Sequence, residues 1–357
     1  MFGSVSLHNF RSYTNYDVEF SPGVTVIVGP NGSGKTNLLE ALYVLSAGSS
    51  FRGVDRDMIR HGEPWLKIEG VYNDQKRTIV YKVQPEKLEK QFDIDGSKKA
   101  RLTHQYKLPV VLFEPDHLRL LRSSPTGRRD FLDNLLARIH PDFTWTKHQY
   151  ERVLQQRNSL LKNKFGLSQV EDQLFAWDVR LADLGAVIVE RRVSLINDLN
   201  KVFGEVYSSI AGVKTDLQIE YKSSLPAENY QANLLNALSR NAASDLHRGF
   251  TSFGPHRDDF AVKINNKPAA AAASRGEVRS MLLALKIIEL KLLAKQNENP
   301  PILLLDDVFS ELDSTRRRAL TDITKTYQTF ITTTDADVVE KSFLAEHKII
   351  STEKLQA

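Results

Sequence analysis

An α/β fold with a largely helical middle is what this 357-residue chain predicts, and three observations predict it. A short apolar run, Val24–Val28, enters a glycine-rich loop at 29–35. Apolar residues at helical spacing follow at Leu38, Leu39, Leu42, Tyr43 and Leu45. From Arg128 the apolar positions Leu132, Leu135, Leu136 and Ile139 recur at i, i+3, i+4 and i+7, the stripe of an amphipathic helix. Ile302–Leu305 is a continuous apolar run ending in Asp306-Asp307, the character of a parallel strand covered on both faces.

Taken in order, Val5, Leu7 and Phe10, then Val18 and Phe20, read as strands ahead of the Val24–Val28 strand. Residues 66–113 read as short strands with turns at Asn73-Asp74 and Asp95-Gly96. A helical pattern from Arg128 to Phe165 and a second one from Leu174 through Leu181, Leu184, Ile188, Leu195 and Leu199 to Val202 flank a break at 162–166. Two long antiparallel helices joined by a short turn are expected there. Strands are expected at 213–222 and 259–265, a helix at Leu282–Leu293, and a buried strand at Thr329–Thr332. The alanine run within Pro268–Ala273 reads as a loop or as the start of the next helix. The expected organisation is a first lobe begun by 1–125, a helical insertion at 126–250 forming a second lobe, and a C-terminal part at 251–357.

Composition narrows the class. With 41% hydrophobic residues the chain can bury a sizeable core. It has no cysteine, which excludes disulfides and thiolate zinc sites. No stretch approaches the roughly 20 apolar residues of a membrane span, and the N-terminus MFGSVSLHNFRSY has neither the basic start nor the apolar run of a secretory signal. A cytoplasmic protein without membrane partners is expected. The net charge of +4 is compatible with a phosphate-rich partner without requiring one.

The motifs carry more. Gly29-Pro30-Asn31-Gly32-Ser33-Gly34-Lys35-Thr36 fits G-x-x-x-x-G-K-[ST], between a strand and a helix as that motif requires. Its glycines let backbone N–H groups wrap a phosphate, and the helix N-terminus adds partial positive charge. Lys35 is expected to reach the β- and γ-phosphates of ATP, with Asn37 next along the helix, and the Thr36 hydroxyl to ligate Mg²⁺. Asp306, at the C-terminal edge of its strand, is the second expected Mg²⁺ ligand, and Asp307 the residue that orients or polarises the attacking water. A plain strand ending in a helix cap is the alternative for this pair. Ser274-Arg275-Gly276-Glu277 reads as a capping box and, at the same time, as an ABC signature in which Ser-x-Gly meets the γ-phosphate held by a second subunit. Ser310-Glu311-Leu312-Asp313 is similar to a D-loop. Thr333, among the threonines 332–334, stands where a γ-phosphate sensor is expected. The order of these motifs is that of an ABC-type P-loop ATPase head, which works as a head-to-head dimer with ATP sandwiched between the copies.

The chain also resembles the RecF family, relatives of the SMC head without a long coiled coil. The resemblance rests on Leu7–Tyr13, Lys35–Ala41 with Ser50-Phe51-Arg52, Phe113–Leu118, Pro125–Asp133, Gly254–Asp259 and Leu305–Asp313, and covers nearly the whole chain. It implies a slow, DNA-stimulated ATPase with ATP and Mg²⁺ as cofactors. That ATPase dimerises on ATP, binds gapped duplex or single-strand/double-strand junctions, and acts with RecR, RecO and RecA in recombinational repair and the SOS response. Many relatives carry Gln at the last signature position, where this chain has Glu277, and the departure is expected to tune hydrolysis or dimer affinity. Arg52, Arg128, Arg129 and Lys147 are the foremost candidate DNA contacts, with Arg56, Arg152 and Arg157 behind them. The charge of each is equally compatible with a solvated face. Another SMC-like or transporter ATPase, a small-molecule kinase, and a nucleotide-gated scaffold remain as competing functions.

Overall fold

The structure, a computed structural model, describes residues 1–85, 87–162, 167–309, 312–335 and 347–352. It divides into two units, one of Met1–Leu118, Ser209–Ala211 and Leu282–Ala357, the other of Arg119–Ser208 and Gly212–Met281. The first unit begins with β1 (Phe2–Phe10), β2 (Tyr13–Glu19), β3 (Val24–Val28), α1 (Lys35–Ala47), β4 (Trp65–Tyr72), β5 (Gln75–Val83), β6 (Leu88–Ile94), β7 (Ser97–Lys99) and β8 (Val110–Phe113). Next come α2 (Pro125–Ile139), α3 (Pro141–Leu161), α4 (Leu167–Ala211), β9 (Leu217–Lys222), α5 (Tyr230–Arg240) and α6 (Ala242–Arg248). They are followed by β10 (Asp259–Ile264), β11 (Lys267–Pro268), α7 (Ala269–Ala272) and α8 (Arg275–Gln296). The first unit closes with β12 (Ile302–Asp306), α9 (Ser314–Thr324), β13 (Thr329–Thr333) and β14 (His347–Ser351).

Within the first unit, α1 lies between two sheets. One is antiparallel, in the order β2-β1-β4-β5-β6-β7; the other is parallel, in the order β14-β3-β13-β12-β8. The expected hairpins are there for a backbone reason. Asn73 and Asp74 have φ of 46° and 64°, and Asp95 and Gly96 φ of 49° and 81°. These left-handed pairs match the twist of the flanking strands. Helix α1 is apolar nearly all round because it is covered on both sides: Leu38, Leu39, Leu42 and Leu45 are each 0% exposed, in one core with Phe2, Leu7, Ile68, Leu304 and Phe330. Truncating one such leucine to alanine costs about 3 kcal/mol.

The parallel sheet sets where the chemistry falls. Strands β12 and β13 are buried along their whole length, as continuous apolar runs should be. Their register pairs Asp306 with Thr332, while β13 and β14 pair Thr333 and Ser351 with Val28 at the end of β3. Four strand ends therefore meet at one edge, the C-terminal edge where α/β sheets bind ligands.

In the second unit the helical stretch expected from Arg128 to Phe165 is two helices. Pro141 stands at the first turn of α3, and His140 before it is extended, with φ −123° and ψ 101°. Proline cannot donate to the preceding turn and pushes its predecessor out of the helical region, so the amphipathic pattern runs on while the helix breaks. Helices α3 and α4 run antiparallel, pairing Arg157 with Asp178 and Asp142 with Arg191; the turn expected between them lies largely outside the described residues. The alanine run forms the short α7, separate from α8. Among the described residues no helix is long and apolar enough to cross a membrane.

Candidate functional site

The loop after β3 takes the shape its glycines permit. Gly32 and Gly34 have φ of 81° and 98°, a region that costs glycine little. A Cβ on Gly34 would stand 2.9 Å from the Tyr13 hydroxyl, and one on Gly29 only 2.0 Å from Thr352 Oγ1, so a side chain at either position would have to displace a neighbour. Gly34 caps α1 without any side-chain hydrogen bond to the helix. The first turn thus presents backbone donors and the positive end of the dipole. Lys35, 7% exposed, folds back over the loop and donates from Nζ to Gly29 O at 2.7 Å and Pro30 O at 2.9 Å.

Across the sheet edge, Thr36 Oγ1 donates to Asp306 Oδ1 at 2.9 Å, and Thr332 Oγ1 donates to the same oxygen at 2.7 Å. Asp307 follows with φ 52°, its amide donating to Thr332 Oγ1 at 2.9 Å. Residues 270 positions apart are thereby joined, and two oxygens suited to a hard cation stand side by side. The Thr333 hydroxyl instead closes a turn on the backbone of Asp335. Thr332, which the sequence marks only as one of three threonines at this strand end, is thus the one that links the two aspartates. Its signal was a hydroxyl opposite Asp306 in a parallel register, which pairing alone supplies. In the expected D-loop, Ser310 and Glu311 lie outside the described residues. Leu312 is buried, and Asp313 caps α9 by accepting from Arg316 N at 3.0 Å.

A second group of residues holds the loop from below. Glu40, 0% exposed in α1, accepts from Arg11 Nε at 2.8 Å, Arg11 Nη2 at 2.6 Å and Ser50 Oγ at 2.5 Å. Arg11 itself has φ 53° and donates to Asp57 O. Its neighbours Ser12 and Tyr13 reach Asn37 Nδ2 at 3.0 Å and Gly34 O at 3.0 Å. The exposed Arg52 donates to Asn37 Oδ1 at 3.2 Å. A carboxylate in so apolar a helix was the available sequence signal: it must be paired to be buried.

In the second unit, Ser274 and Glu277 form the capping box in full. Ser274 N donates to Glu277 Oε2 at 2.7 Å and Glu277 N to Ser274 Oγ at 3.2 Å. The hydrogen bonds from the Ser274 amide and hydroxyl hold the Glu277 carboxyl below the usual glutamate range. The acidic side chain is thereby turned back into the cap.

The Gly254–Asp259 segment is held from several elements. Tyr221 donates to Asp258 Oδ2 at 2.7 Å, Arg129 to Asp258 O at 2.9 Å, Arg192 to Pro255 O at 2.7 Å, and Tyr150 Oη lies 2.7 Å from His256 Nδ1. Burial raises the Asp258 carboxyl above its ordinary value and pushes His256 down to about 4.

The basic residues singled out above fall into two kinds. Arg128 is paired with both Asp259 oxygens, Arg129 with the Asp258 carbonyl, and Lys147 with Asp133 at 3.0 Å; Arg52 is exposed in the first unit. Arg157 must be corrected. It is 0% exposed and bound to Asp178, Asp245 and Thr251, so it is no phosphate contact.

The family model described as the RecF/RecN/SMC N terminal domain matches residues 1–356. A DNA replication and repair protein RecF from Streptococcus uberis is 38% identical over 341 residues, 93% of each chain. One from Halalkalibacterium halodurans is 34% identical over 360 residues, 98% of this chain and 97% of its own. Among solved structures, one described as the recombination mediator protein RecF-ATPrS in the RecFOR pathway aligns with a TM-score of 0.85. It has 29% identity and covers 99% of this chain and 96% of its own. The Smc head domain of Pyrococcus furiosus shares the fold at a TM-score of 0.51 and 16% identity, covering 98% and 92%. With a loop of this form, an acidic strand end beside it and likeness along its whole length, the chain belongs to the RecF family of DNA replication and repair proteins.

Proposed function

We propose that the chain is an ATP-dependent DNA-binding repair protein that dimerises on ATP and helps load recombinase at gapped or junction DNA. The observation that carries this reading is the meeting of Thr36 and Asp306 at 2.9 Å beside the glycine loop. Lys35 exchanges its two loop carbonyls for the β- and γ-phosphates, and the glycine-loop amides from Gly29 to Lys35, with Asn37 close by, take the rest of the triphosphate. Oxygens from Thr36 and Asp306 suit Mg²⁺, which when bound neutralises charge on the β- and γ-phosphates. Asp307, its backbone set by Thr332, orients the water for a slow, DNA-stimulated hydrolysis. Thr333 acts as sensor from the adjoining strand.

Ser274, Arg275 and Gly276 complete the site of a second copy, with Glu277 withdrawn into the cap. The D-loop, Ser310 to Asp313, meets that copy. Arg52 is the DNA contact favoured by exposure, ahead of the paired Arg128, Arg129 and Lys147. RecR, with RecO and RecA behind it, is the protein partner this reading implies, in the cytoplasm.

The test is mass in solution with ATP or ADP, with and without gapped duplex, for the wild type, Lys35→Met and Ser274→Arg. ATP-dependent dimers lost in both variants, with DNA stimulating turnover, are expected. A monomer under every condition would contradict the trans role of Ser274 and favour a kinase or scaffold.

A further inference from the structure

Beside the glycine loop lies a hydroxyl pair that the preceding reading leaves unused. Strand β14 is the neighbour of β3, with Ser351 opposite Val28, so the next residue, Thr352, falls beneath the loop that β3 feeds. Thr352 is 0% exposed and Ser33 is 6% exposed, and their Oγ atoms stand 2.6 Å apart. The Thr352 amide donates to Val28 O at 2.8 Å, and Thr352 Oγ1 lies 3.2 Å from that same carbonyl. The fit leaves no slack: a Cβ on Gly29 would come within 2.0 Å of Thr352 Oγ1 and 2.7 Å of Ser33 Oγ.

Proton bookkeeping decides what such a pair can do. Each hydroxyl has one proton to give and two lone pairs to receive with. Val28 O is already served by the Thr352 amide. The Thr352 proton therefore has a choice between a second bond to that carbonyl at 3.2 Å and a short bond to Ser33 Oγ at 2.6 Å. When it goes to Ser33, the Ser33 proton is released for another acceptor. A phosphate can only accept, so it rewards that arrangement, and hydrogen bonds in such a chain polarise one another. When the Thr352 proton goes to Val28, Ser33 must give its own proton to Thr352 and has none for a ligand.

We infer that Thr352 is a positioning residue of the nucleotide site: its hydroxyl donates to Ser33 Oγ and thereby aims the Ser33 O–H at the phosphate chain in the loop. The inference rests on the reading that this loop holds ATP. It makes the strand that follows 336–346 part of the site, although no motif marks it.

Titration of a fluorescent ATP analogue with Mg²⁺ tests it, on the full chain, for the wild type, Lys35→Met, Thr352→Val, Thr352→Ser, Ser33→Ala and the double variant Ser33→Ala/Thr352→Val. Valine keeps the shape and loses the hydroxyl; serine keeps the hydroxyl. Thr352→Val is expected to weaken binding about fivefold, the worth of one hydrogen bond, and Thr352→Ser to stay within about twofold of wild type. In the Ser33→Ala background, Thr352→Val is expected to add nothing. Unchanged binding in Thr352→Val overturns the inference. So does a loss that persists in full without the Ser33 hydroxyl, because it would come from β14 packing. Equal binding by the wild type and Lys35→Met marks a different failure, that of the loop as an ATP site.

Discussion

Charged and hydroxyl groups are gathered in both units, and the two gatherings differ in what answers them. In the second unit, Arg157 has 0% exposure and faces Asp178 and Asp245, while Arg192 is bidentate on Asp133 at 2.8 and 2.9 Å. Strong charges there are matched by opposite charges from distant helices. In the first unit, Lys35 rests on two neutral carbonyls of its own loop, and Asp306 accepts from two threonine hydroxyls. Those partners carry no opposite charge and are exchangeable. A matched buried pair is expensive to break, whereas a cation on neutral carbonyls gains by meeting an anion. The difference separates scaffold from site even where both lie in segments that resemble family motifs.

The largest effect expected from this comparison is on stability. Arg157→Ala leaves two buried carboxylates without their cation and should cost about 3–5 kcal/mol in denaturant unfolding. A loss below about 1 kcal/mol would mean that the network is no scaffold. Lys35→Met should do the reverse, lowering ATP affinity about a hundredfold while its melting temperature stays within a few degrees of wild type. Thr332→Val removes the hydroxyl between Asp306 and the Asp307 amide. Turnover at saturating ATP should fall about tenfold with little change in affinity, and steady-state kinetics will separate the two.

A smaller effect concerns pH. Burial holds His256 at about 4 against an ordinary 6.5, with Arg257, Arg129 and Arg157 adding to the depression and the Thr251 carbonyl opposing it. As pH falls, the unfolded chain takes up this proton first. The stability His256 contributes is therefore complete above about pH 6.5 and lost progressively toward about pH 4. His256→Gln should flatten the decline in that window by about 3 kcal/mol, read by urea unfolding across it. An identical decline in the variant would remove His256 as its source.

Much of the first unit was legible beforehand because its signals are local. The glycine loop, the hairpins at Asn73-Asp74 and Asp95-Gly96 and the apolar strand ending in Asp306 each announce themselves within a few residues. Partners brought together by register were not legible. Thr332 opposite Asp306 and Thr352 beside Ser33 depend on which strands pair. The break at Pro141 was hidden because the apolar stripe continues across it. The charge of Arg157 pointed outward, since a sequence does not display the Asp178 and Asp245 that enclose it. Gly254–Asp259 is one of the segments that carry the family resemblance. Its side chains turn out to bind Tyr221, Tyr150 and Arg128 of their own unit.

The distinction between site and scaffold is tested most directly by thermal melting with and without MgATP for the wild type, Asp306→Asn and Asp258→Asn. MgATP is predicted to raise the melting temperature of the wild type and of Asp258→Asn by the same increment, whatever the starting point of Asp258→Asn. Asp306→Asn should start near wild type and lose most of the increment. An increment kept by Asp306→Asn, or abolished in a folded Asp258→Asn, would contradict the assignment of ligand chemistry to the first unit.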